Sequence, residues 1–147
     1  MGKIIKKSLI SIDDYKASKL PMILCNCKPL DEHAIIEAGY NYFSLNYPLA
    51  SALTNLPDVT RVNNVQETVF SLLPKNTPTY LTDYEMLFDP RYNLDVIKLF
   101  IEIARYNKLI IKWCGKVQNE STLVYSEPGY QDYTKYNIND YDITVII

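Results

Sequence analysis

The chain has 147 residues, 48% of them hydrophobic and 22% charged, with a formal net charge of −2. That length buries a real core as one domain, residues 1–147, without disulfide or metal staples, and that charge excludes a general attraction to nucleic acid or an anionic membrane. Three cysteines, an odd number, with no apolar segment behind the basic Met1–Lys7 stretch fit a reducing cytoplasm better than an export route. Lys98, Glu102 and Lys112 interrupt the most apolar stretches, against a membrane span. Thirteen tyrosines stand beside only four glycines. Tyr rises together with Asn, Ile and Lys, as base-composition bias produces, whereas the glycine shortage removes chemistry that depends on glycine-rich loops.

In chain order, Ser11 ahead of Asp13 and Asp14 starts a short helix that ends before Pro21. Met22–Cys27 is an apolar run between Pro21 and Lys28-Pro29, the mark of a buried central strand. Asp31 reads as the cap of a two-turn helix to Ala38, with Gly39 as its left-handed stop. Tyr40–Leu45 alternates as a second strand. Leu49, Ala52, Leu53 and Leu56 then recur at helical spacing up to Pro57, and Asn64 with Glu67 three residues on reads as the start of a further helix. Thr79–Thr82 is a strand that runs into Asp83 and Glu85.

The spacing predicts the best helix over Asn93–Tyr106. Asp95, Lys98, Glu102 and Arg105 form one narrow charged stripe, and apolar residues cover the rest, so the helix either packs between the sheet and a neighbouring helix or meets a partner. Leu109–Cys114 is a third buried strand closed by Gly115. Thr122–Ser126 and Tyr133–Tyr136 flank the Glu127-Pro128-Gly129 turn as a hairpin or a split strand pair, and Tyr141–Ile147 is a closing strand. Strands alternating with helices and then strands alone predict an α/β fold: a mostly parallel sheet with an antiparallel C-terminal extension.

A phosphate-cradling loop needs glycines, a lysine and a Ser or Thr for magnesium. After the first core strand this chain has Asn26–His33 (NCKPLDEH), with no glycine, with Pro29 lacking an amide donor and with Asp31 and Glu32 where phosphates would sit. Asp83 and Glu85, at a strand end, are candidate catalytic or metal-holding acids; without a loop to position substrate, their favoured role is as solvated turn formers. The sole histidine, His33, has no nucleophile signature linking it to Cys25, Cys27 or Cys114. Trp113 lies at a strand end, where open α/β sheets place ligands, and reads as core or a partner contact rather than as a ligand platform. Tyr125–Tyr136 interleaves aromatic and polar groups, but Glu127 and Asp132 against Lys135 is the wrong balance for tracking phosphates, so direct nucleic-acid binding is not expected.

The runs LTDYEMLFDPRYNLDVIKLF, LIIKWCG and LVYSEPGYQDYTKY resemble, in order and wording, the small P-loop proteins called BrxF of bacterial BREX phage-defence operons. The resemblance covers about Pro78–Tyr136, with weaker support over Tyr42–Leu56, and rests mainly on the Glu-Pro-Gly turn and the spacing between blocks. It implies a three-layer P-loop-NTPase-like sheet flanked by helices. The sequence departs from the family by lacking its phosphate-binding loop after the first strand. The family's metal-binding acid falls on Thr82 or on Asp83, depending on register. What the resemblance implies is a degenerate relative with no cofactor, acting through other proteins of a defence complex, with Trp113, Glu127 and Tyr130 as a candidate partner or relic-site surface. The alternative is a subunit that lends Asp83 and Glu85 to a composite NTPase or hydrolase site.

Overall fold

A computed structural model describes residues 1–147. The elements run β1 (Lys3–Ile5), α1 (Ile12–Ala17), β2 (Met22–Leu24), α2 (Pro29–Glu37), β3 (Asn41–Ser44), α3 (Asn46–Thr54), α4 (Asp58–Leu72), β4 (Thr79–Thr82), α5 (Val96–Ala104), β5 (Leu109–Lys112), β6 (Lys116–Gln118), β7 (Thr122–Tyr125), β8 (Thr134–Asn137) and β9 (Thr144–Ile146). Six strands make one sheet in the order β1-β9-β2-β5-β4-β3, with every neighbouring pair parallel. The other three, β6-β7-β8, form a separate antiparallel sheet.

Side-chain alternation along the short strands divides the interior in two. Met22, Leu24, Tyr80, Ile110 and Ile146 face one way, onto Tyr15 of α1 and Ile35 of α2. Ile23, Leu81, Leu109, Ile111 and Val145 face the other way, into a larger core shared with α3, α4, α5 and the second sheet. The crossovers β1 to β2 and β2 to β3 run toward one edge of the sheet, and all later ones run back. Right-handed connections in both directions put the two helix sets on opposite faces, which is the arrangement observed.

The nearly all-apolar α5 is sandwiched rather than exposed to a partner. Val96, Ile97, Leu99, Phe100 and Ile103 are buried in the core that the parallel sheet shares with α3, α4 and the β6–β8 layer, each contributing roughly 1.5–3 kcal/mol over an exposed position. Its N-terminus is closed locally and from a distance. Asp95 accepts from the Lys98 amide at 3.0 Å, the Val96 amide donates to the Tyr136 hydroxyl at 3.2 Å, and the Tyr141 hydroxyl donates to Asp95 at 2.7 Å. The second sheet is thereby fastened to the helix it covers.

Several sequence expectations need correction. The mostly parallel α/β sheet and the antiparallel strands toward the C-terminus are as expected, but the closing strand β9 is not part of the antiparallel set: it returns to pair in parallel with both β1 and β2, so β6–β8 lie between β5 and β9. The basic N-terminal stretch contributes β1, and β6 was not anticipated, since each is three residues long. Asp31 is not the cap of α2 but stands in its first turn, because Pro29 takes the opening position. Finally, α4 begins at Asp58 rather than Asn64. Arg61 ties its first turn to the end of α3, bonding the Leu56 and Thr54 carbonyls at 2.7 and 3.0 Å, and Asn64 lies mid-helix with its amide on the Thr60 carbonyl. No helix is long and apolar enough to cross a membrane.

Candidate functional site

In an open parallel sheet, ligands sit beyond the carboxyl ends of the strands where the connections diverge. Here that point lies between the neighbours β2 and β5, since β2 leads toward β3 and β5 leads away to β9. The groups gathered there come from the turn after β2, the start of α2, the end of β5 and the N-terminal segment.

The turn after β2 passes through Asn26 in a left-handed conformation, φ 50°, and enters α2 at Pro29. The helix start that would face an anion is filled by the chain itself. Asp31 Oδ2 accepts from the Lys28 amide at 2.9 Å and from Lys7 Nζ at 2.9 Å, while Lys7 also donates to the Asn26 carbonyl. Burial would raise the Asp31 carboxyl, but the hydrogen bonds from Lys7 and the Lys28 amide outweigh it and hold its pKa below the usual value. A carboxylate and an ammonium therefore occupy the place where a phosphate would be received, and Pro29 supplies no amide.

Beside this plug, the fully buried Tyr80 donates its hydroxyl to Glu32 at 2.8 Å and lies 3.2 Å from the Cys27 sulfur. Burial raises the Cys27 thiol pKa, and it pushes Cys25 and Cys114 up to about 12 each. Each thiol is thereby held further from its thiolate form than an exposed cysteine would be. His33 is exposed on α2 and faces Glu37 at 4.0 Å, and it makes no hydrogen bond to any cysteine.

At the end of β4 the two candidate acids are held by polar neighbours from the adjacent strand and helix. Asp83, left-handed at φ 50°, accepts from Ser44 Oγ at 2.7 Å, and its carbonyl accepts from the Asn46 amide at 2.6 Å. The buried Thr82 leans its hydroxyl on the same carboxylate at 3.4 Å. Asn46 bridges onward, donating Nδ2 to Glu85 at 2.7 Å and accepting from the Met86 amide at 3.1 Å. Asp83 and Glu85 thus splice the end of β4 onto β3 and α3. No group of three or more His, Cys, Asp and Glu side chains converges to hold a metal ion.

Glu85 also borders an open cleft of about 620 Å3, together with Met86, Asp89, Tyr130 and Asp132. Asp89 is gripped by Arg91 at 2.7 Å, which holds its carboxyl below the usual range. Of the three residues expected on a partner surface, Tyr130 and Glu127 are exposed, Glu127 standing 3.8 Å from Lys116. Trp113 is not on that surface. It is 5% exposed, packs edge-on against Phe88 and donates its indole N–H to the Lys116 carbonyl at 3.0 Å. The antiparallel insertion, which the sequence did not place over the strand end, covers it. Tyr125 completes the cover by stacking on Phe88 with ring centroids 3.8 Å apart.

Sequence reasoning missed Lys7, Ser44, Asn46 and Tyr80. Ser44 and Asn46 carried at most the signal of two polar residues around a strand end, and their partners lie 39 residues away; Lys7 and Tyr80 had none, with partners 24 and 48 residues away. Comparison of the chain with protein-family models, with curated proteins and with solved structures gave no match.

Proposed function

We propose that this chain is a non-catalytic, cytoplasmic interaction component, a degenerate relative of the BrxF-like P-loop proteins of BREX phage defence, whose nucleotide site is lost. The observation that carries this reading is the plug at the head of α2. Asp31 and Lys7 neutralise each other where an anion would bind, and Pro29 removes a donor from the same turn. The parallel sheet with its ligand position between β2 and β5 is the kind of scaffold on which such a site would have been built. Titration calorimetry with ATP, GTP and ADP plus magnesium tests the loss. The expected result is no binding heat at micromolar protein, and micromolar affinity for any of the three overturns it. Affinity capture from the native host tests the partner side, and recovery of the chain alone counts against an interaction role.

A second reading has one observation in its favour, the opening of Glu85, Asp89 and Asp132 onto a common cleft beside the β4 end. In it, the chain lends acids to a composite hydrolase site completed by another subunit. Turnover of the reconstituted complex should then fall sharply with Glu85→Gln while the variant stays folded, and unchanged turnover removes the idea.

A further inference from the structure

At the opposite, amino-terminal end of the sheet, a second cavity lies between the C-terminal ends of α4 and α5. It has a volume of about 240 Å3 and is walled by Phe70, Leu73, Ile103 and the ring of Tyr106, with Lys75, Asn76 and Asn107 as its polar lining. Leu73 and Ile103 are buried, and Tyr106 is 70% exposed, standing as an outer wall. Two features make this more than a gap in packing. Asn107, 8% exposed, is fixed in place: its Oδ1 accepts from the Thr77 amide at 3.1 Å and its Nδ2 donates to the Pro74 carbonyl. A carboxamide has two N–H donors, so one remains without a protein acceptor. Lys75, on the turn that Asn107 holds, is exposed, and with no ion pair and no hydrogen bond from its ammonium to the protein it is free to turn toward the cavity.

We propose that this cavity is a binding site for a small monocarboxylate with an apolar body, such as an arylacetic or medium-chain aliphatic acid. The body fits against Phe70, Leu73, Ile103 and Tyr106. The carboxylate meets the Lys75 ammonium and the free Asn107 N–H, a cation and a donor beside apolar walls, which is the usual composition of a small-molecule site. The volume lies below the roughly 300–1,000 Å3 of drug-sized sites, which restricts the ligand to fragment size. The site is remote from the β4 end and independent of whether the nucleotide position is lost.

The test is a titration of 15N-labelled protein with phenylacetate, followed by amide shifts, beside its neutral analogue phenylacetamide. Phenylacetate should give saturable shifts centred on Phe70, Leu73, Ile103 and Asn107, with a Kd on the order of 1 mM. Phenylacetamide should bind roughly three- to fivefold more weakly, the range of an exposed charge pair. Lys75→Met should remove that preference, and Lys75→Arg should keep it. Equal binding of the two probes to the unmodified protein overturns the proposal, as does the absence of saturable shifts at these residues or a preference that survives Lys75→Met. The comparison of probes on unmodified protein stands even where a variant folds poorly.

Discussion

Replacing Asn46 by Ala tests whether the acids after β4 serve the fold. The side chain makes two hydrogen bonds, one to the Glu85 carboxylate at 2.7 Å and one from the Met86 amide at 3.1 Å. A bond to a charged group contributes about 1.5–3 kcal/mol and a neutral one about 1 kcal/mol. Both are only partly buried, so water recovers a share of each, and the expected loss is about 2 kcal/mol. For a domain of this length, each kcal/mol shifts Tm by roughly 2–4 °C, giving a fall of about 4–8 °C. Urea denaturation followed by circular dichroism measures the free energy, and a thermal scan gives the shift. A double-mutant cycle with Glu85→Ala isolates the pair, with an expected coupling of about 1 kcal/mol. A loss under about 0.5 kcal/mol for Asn46→Ala would refute the reasoning, because Asn46 would then not be what holds Glu85 and the 85–88 turn.

Gly115→Ala should destabilise by about 3 kcal/mol or leave the protein insoluble, since an added Cβ runs into the Val124 carbonyl oxygen, which is backbone and cannot swing aside; soluble yield and urea midpoint report it. Alkylation by iodoacetamide at pH 8, read by mass spectrometry, should label Cys27 first and Cys25 and Cys114 only slowly, because burial pushes the latter two thiols up to about 12. Lys7→Met should flatten the acid side of the stability profile. The folded Asp31 carboxyl lies below its unfolded value, so its contribution is present above the unfolded pKa and is lost as pH falls through the folded one. Denaturant midpoints measured between pH 3 and 6 should therefore converge for the two proteins at the acid end. Tyr80→Phe should cost about 1 kcal/mol by leaving Glu32 without its donor, as equilibrium denaturation would show.

Local chemistry was enough to make most of the elements legible. Ser11 caps α1 as its sequence indicates, with Asp14 closing the box, and Gly39, at φ 98°, ends the α2 turn; Asp95, read from the sequence as part of a charged helix stripe, instead caps α5. The apolar runs at Met22, Thr79 and Leu109 became the strands β2, β4 and β5 because hydrophobic runs bounded by Pro and Gly leave few other conformations. Asn64 misled because a capping pattern is also compatible with a helix interior, and Pro57 with Arg61 starts the same helix earlier.

What the sequence by itself determined was the α/β alternation, the absence of a glycine-built phosphate loop and the Ser11 cap of α1, all set by residues within a turn or two of one another. Tertiary structure alone decided which groups meet. It put Lys7 on Asp31, Asn46 on Glu85 and Tyr80 on Glu32, and it laid the antiparallel insertion over Trp113, deciding for core where the sequence left core and partner contact open. The physical reason is that these contacts depend on strand order in the sheet, and strand order follows from the summed packing of both faces rather than from any local pattern.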